Sequence, residues 1–127
     1  MSELIDDVAD YLQAQSLGTV GTSIFESTLP DDPDNCLAVI DTGGPAQDTN
    51  LTWVRRTFQV IVRNTSYATG HATLNSIRSL LHKKMNASLV SGGTYYYSIM
   101  AMSAGGHIGR DDSNREEFSI NFEALAR

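Results

Sequence analysis

The sequence has one cysteine, three prolines, one tryptophan and no long apolar run. A single Cys36 excludes an internal disulfide, and its setting in CLAVI suits a small buried hydrophobe better than a reactive thiol. No window nears the roughly eighteen apolar residues of a membrane-spanning helix, so no membrane partner is expected. The first ten residues hold four acids and no Lys or Arg, the reverse of a secretory signal. A cytoplasmic start is therefore expected, and the Asn-x-Ser/Thr triplets at Asn50, Asn64 and Asn86 carry no weight as glycosylation sites.

Familiar catalytic patterns are missing as well. No serine stands in Gly-x-Ser-x-Gly, and Gly43 and Gly44 lack the Gly-Lys-Ser/Thr of a phosphate-cradling loop. His71 and His82 fall on one predicted helix about 16 Å apart at 1.5 Å per residue, too far to share an ion. His107 has no partner at ligand spacing except exposed acids, so neither a metal nor another cofactor is expected. The stretch GGHIGRDDSNREEF sets His107 beside Asp111 and Asp112, but a charged turn accounts for RDDSN without any chemistry. Tyr95, Tyr96 and Tyr97 cannot all share one strand face, which favours packing and subunit contact over stacking on bases.

Charge of one sign is missing from whole regions. Residues 1–48 hold ten acids and no Lys or Arg; residues 49–110 hold seven Lys or Arg and no acid. The last seventeen residues hold five acids and two arginines, giving a net charge of -6. Such a balance argues against a surface built to grip nucleic acid. The opposed segments either neutralise one another within one fold or meet head to tail between subunits.

What is present reads as one α+β domain over residues 1–127. LIDDVADYLQ has helical spacing, with Ser2 as a cap, and predicts a helix over about 2–15. TSIFES and CLAVIDT predict strands separated by the turn chemistry of TLPDDPDN, and a mobile loop is expected over 42–50. WVRRTFQVIVR alternates, with Val54, Phe58, Val60 and Val62 on one face and Arg55, Thr57, Gln59 and Arg63 on the other. Ser66 or Thr65 caps a second helix over about 67–85, with Leu74, Ile77, Leu80 and Leu81 as its apolar stripe. TYYYSIMAMS and EEFSINFEA close the chain as strands, the latter with Phe118, Ile120 and Phe122 inward. The expected architecture is a mostly antiparallel sheet of about five strands with two helices packed on one face.

Taken together, LIDDVADYLQ, LPDDPDNCLAVIDTGG, RRTFQVIVRNTSYATGHATLNSIRSLLH and IGRDDSNREEFSINFEA resemble the small tail-terminator proteins of long-tailed bacteriophages, also called minor capsid or tail-completion proteins. The resemblance implies a virion structural protein, not an enzyme. It implies a homo-oligomeric ring, usually a hexamer, that caps the tail tube, stops its polymerisation and joins the tail to the head connector. DNA would pass through the ring without specific binding. The location implied is the head-proximal end of the tail in the virion, reached by assembly in the host cytoplasm. Within that role, charge and loop position suggest Asp31, Asp32, Asp34, Asp41 and Asp48 for lumen or tube-facing loops, and Arg55, Arg56 and Arg63 for subunit interfaces. A head-closure or connector protein of the same joint is the near alternative. A small hydrolase or ligand-binding module using His107, Asp111 and Asp112 is the alternative from another class.

Overall fold

The structure is a computed structural model that describes residues 4–44 and 53–126; the expected Ser2 cap, Asp48, Asn50 and most of the loop expected at 42–50 lie outside the described residues. Its elements in chain order are α1 (Leu4–Ala14), β1 (Ile24–Glu26), β2 (Cys36–Gly43), β3 (Val54–Asn64), α2 (Tyr67–Leu81), β4 (Lys84–Ser88), β5 (Tyr95–Ala101), β6 (Gly106–Arg110) and β7 (Glu116–Ala126).

At the centre, β3 and β7 pair antiparallel without a break from Val54 opposite Ala126 to Asn64 opposite Glu116. This register sets Phe58 against Phe122, Val60 against Ile120 and Val62 against Phe118. All six side chains are buried, and the Phe58 and Phe122 rings stack at 5.1 Å. Because side chains alternate along a strand, the opposite face receives Gln59, Ile61 and Arg63 across from Asn121, Ser119 and Glu117. The strand order is β1-β2-β3-β7-β5-β4, and every pairing among these strands except β1 with β2 is antiparallel. On the other edge of β7, β5 pairs with one end and β6 with the other.

Seven strands replace the five expected, and β4 and β6 are the additions. The second helix stops at Leu81 instead of running to about 85. His82 caps it, and Lys83 takes a φ of 64°, which turns the chain into β4. β6 contains GHIGR, whose glycines disfavour a strand; pairing with β7 forms it nonetheless. Its register shifts between His107 and Gly109, where Gly109 has a φ of 145° and Ile108 is left outward and exposed.

Both helices bury their apolar faces in the same core. Val8, Ala9 and Leu12 of α1, and Leu74, Ile77 and Leu81 of α2, join the sheet residues there, with Leu80 packed at its edge. Ser66 caps α2, its hydroxyl accepting from the Thr69 N–H at 3.3 Å.

α1 packs on β1 and β2 yet also reaches β5, because buried Asp7 accepts from the Tyr96 hydroxyl at 2.8 Å and the Thr94 N–H at 3.3 Å. Burial, and then Asp7 itself, push the Tyr96 hydroxyl above its ordinary range. The outer acids of α1 crowd β1: a hydrogen bond with Asp6, then burial, then the charges of Asp6 and Asp10 push the Glu26 carboxyl up to about 7.

Gly70 marks the closest approach of α2 to the sheet, since a Cβ there would collide with the Phe118 ring and crowd the Asn64 Cβ at 3.2 Å. Alanine normally stabilises a helix interior relative to glycine. Here Gly70→Ala is expected to destabilise the fold by about 1–3 kcal/mol through overpacking. Urea denaturation checks this, and a neutral or stabilised variant would contradict the packing described.

Candidate assembly site

The residues singled out by charge fall into two groups at opposite ends of β3. Along an extended strand the eight steps from Arg55 to Arg63 span about 27 Å, so the groups cannot share one contact.

The first group surrounds the turn before β2. TLPDDPDN supplies two prolines and three aspartates, and the segment it forms lies against the polar face of the sheet, where two buried arginines hold it. Arg63 is 3% exposed; its Nε donates to the Asp34 carbonyl at 3.2 Å, and its Nη2 donates to the Pro33 carbonyl and to Cys36 Sγ. Arg115 is 5% exposed and gathers three carboxylates: Asp31 at 2.7 Å, Asp34 at 3.2 Å and Asp111 at 2.7 Å. Asp32 is exposed. Cys36 is buried as expected, and burial pushes its thiol above the ordinary value.

The alternation of β3 correctly places Arg63 on the face opposite Phe58, but that face is covered there. Periodicity reports a direction and says nothing about a connection folding over it. Arg63 is consequently an interior anchor of residues 33–36, with its guanidinium turned away from the outer surface.

The second group lies where β3 begins. Asp41 bridges to Arg56 at 2.8 Å and also accepts from the Gly43 N–H at 2.7 Å. Arg55 lies 3.5 Å from Glu123 and 5.6 Å from the Trp53 ring centroid. These charges remain substantially exposed, so their pairing is weak.

The opening of β7 carries a constellation that charge alone did not reveal. Glu116 is 6% exposed and accepts from His107 Nε2 and Arg110 Nε, at 2.8 and 2.7 Å. His107 packs edge-on against Tyr67, at 5.1 Å between centroids, and Tyr67 stacks on His71 at 5.9 Å. Asp111 faces Arg115 instead, its Oδ1 accepting from the Ser113 and Arg115 N–H groups. His107 and Asp111 of the hydrolase loop expected from the sequence thus have separate partners, Asp112 is exposed, and RDDSN is a capped turn. The usable signal was the i,i+4 spacing of Asp111 and Arg115. Among the described residues, no three His, Cys, Asp or Glu side chains are placed to hold a metal ion.

The molecule is a sheet with both helices on one face, loops tied down by internal ion pairs, and exposed charge at the start of the central ladder. A family model described as bacteriophage tail terminator protein matches residues 11–126. The chain belongs to that family, and is a structural protein of the virion tail. A chain from the virion of a native gene transfer agent particle is similar in structure, with a TM-score of 0.67 over 98% of each chain. At 13% identity that likeness shows the fold. No curated protein matches in sequence.

The turn also has a pH signature. The Arg115 N–H and then its guanidinium hold the Asp111 carboxyl below its ordinary 3.8, and His107 and then Arg110 hold Glu116 below 4.5. Lowered carboxyl values mean stabilisation that is complete above those ordinary values and is lost as pH falls below them. Asp111→Asn keeps the turn-capping oxygen and removes the charge. It is expected to lower the melting temperature at pH 7, with the gap closing below about pH 3.8; matching melting curves at pH 7 would refute the arrangement.

Proposed function

We propose that the protein caps the tail tube as a ring, stops its polymerisation, and joins the tail to the head connector while DNA passes through. The observation that carries this reading is the family match over residues 11–126. The net charge of -6 supports a DNA passage, because carboxylates repel phosphates and let a duplex slide without gripping it. The weak, solvent-accessible pairs of Arg55 and Arg56 with Glu123 and Asp41 support head-to-tail contacts that close into a ring, which we take to be a hexamer. Its partners are then further copies of itself, the tail tube protein and the head connector, at the head-proximal end of the tail, with assembly in the host cytoplasm.

On this reading, Asp31, Asp32 and Asp34 serve one lumen or tube-facing surface, and Asp41, with Asp48 beyond it in the chain, serves another. Arg55 and Arg56 reach a neighbouring subunit directly. Arg63 contributes by holding residues 33–36 in place.

Phage lacking this protein are expected to produce overlong or headless tails in negative-stain microscopy; tails of normal length joined to heads would refute termination. Within the purified protein, reversing charge with Arg55→Glu and Arg56→Glu together is expected to reduce the assembled mass in light scattering. An unchanged mass would remove these arginines from the interface.

A further inference from the structure

Behind the turn that precedes β2 lies a small cavity of about 110 Å³, lined by Leu17, Ser23, Asn35, Cys36, Leu37, Val62, Arg63, Asn64 and Thr73. Its chemistry is lopsided. Arg63 is nine-tenths buried and forms no ion pair with a described residue; its Nε and Nη2 serve neutral acceptors, which leaves Nη1 without a partner among them. Nη1 is not among the buried side-chain atoms that lack a partner, so it meets solvent at the cavity, where an anion can replace the water on an otherwise neutral-partnered guanidinium.

The side-chain oxygens around it are already engaged by donors. Asn35 Oδ1 accepts from the Thr65 N–H at 2.9 Å, Asn64 Oδ1 accepts from the Ser66 N–H at 2.9 Å, and Ser23 Oγ accepts from the Thr19 N–H at 3.0 Å. Both amide NH2 groups and the Ser23 hydroxyl proton have no acceptor among the described residues. Thr73 is the exception, since its hydroxyl donates to the Thr69 carbonyl at 2.9 Å. The cavity therefore offers a guanidinium edge and a surplus of neutral donors. Of the nearby carboxylates, Asp34 is turned toward Arg115 and Glu117 stands across the ladder from Arg63; neither lines the cavity.

We propose that this cavity binds a small oxyanion of the size and chemistry of phosphate, held by Arg63 Nη1 and the Asn35 and Asn64 amides. This site stands independently of ring formation. The carboxylates nearby oppose the anion and hold its affinity to roughly the millimolar range. The shared chemistry admits free phosphate or the phosphodiester of DNA, and the half-enclosed cavity favours the free ion.

Titration of the purified protein with inorganic phosphate, by calorimetry and thermal shift at constant ionic strength, tests the proposal. Saturable binding is expected, with sodium chloride producing no comparable shift. Asn35→Asp keeps the oxygen that accepts from Thr65 and replaces the donor with negative charge. It should weaken phosphate binding by at least about tenfold while leaving the circular-dichroism spectrum unchanged. Arg63→Gln should abolish binding; if that variant fails to fold, Asn64→Asp carries the same expectation as Asn35→Asp. A wild-type protein without saturable phosphate binding, or a folded Asn35→Asp protein that binds as the wild type does, overturns the site. Competition of phosphate by a short DNA duplex would reassign it to the phosphodiester and overturn the free-ion proposal. Because none of these readouts measures assembly, a negative result leaves the tail-capping reading to its own tests.

Discussion

The unbroken β3 and β7 ladder is the constraint from which the rest of the structure follows. Eleven residues of each strand pair in one register, and that register places three apolar cross-strand pairs on one face. A slip of one residue would bring Phe58, Val60 and Val62 opposite the wrong partners and put polar residues into the core. Both helices are committed to that face by their apolar stripes. The polar face is then free to receive the turn before β2, whose carbonyls and carboxylates meet Arg63 and Arg115 near the same end of the ladder. Arg63 stands opposite Glu117, two residues after Arg115, so the ladder brings both arginines to the same end.

α1 supplies a second constraint. It rests on β1 and β2, yet Asp7 binds Thr94 and Tyr96 near the far side of the sheet. The tie links α1, which rests on β1 and β2, to β5 further along the strand order. It leaves Asp7 Oδ1 buried without a partner among the described residues, a cost that packing of Val8, Ala9 and Leu12 must offset. The crowding of Asp6 and Asp10 around Glu26 points the same way: burial of the apolar face outweighs the repulsion on the acidic one.

Much of this was legible in the residues, for identifiable reasons. Period-two alternation located β3 and the inward face of β7, and the cap at Ser66 located the start of α2, because those signals arise within a few neighbouring residues. β4 and β6 carry no such local signal. KMNAS is largely exposed and GHIGR is rich in glycine, so their extended form depends on β5 and β7, which lie elsewhere in the chain. The candidate site divides in the same way. Asp31, Asp32, Asp34 and Asp41 are visible as acids in turns, but only the topology separates Asp41 from the others. The burial of Arg63 and Arg115 depends on residues about thirty and eighty positions away, as the separations to Pro33 and Asp31 show.

Charge segregation along the sequence does not survive folding intact. Arg115 takes Asp31, Asp34 and Asp111, Glu116 takes His107 and Arg110, and Arg56 takes Asp41. The pairs nonetheless differ in how easily a neighbour could replace a partner. Arg115 is buried, and removing an acid from it would leave charge desolvated, so those contacts belong to the subunit. Arg55 is exposed and Arg56 partly so, and a solvent-accessible pair contributes only about 0.2–1 kcal/mol. Exchanging Glu123 or Asp41 for a carboxylate on another chain therefore costs little. On the proposed reading, the Val54 end of the ladder is where the subunit trades its own ion pairs for those of a partner, while the arginines at the Asn64 end are held by the subunit's own interior.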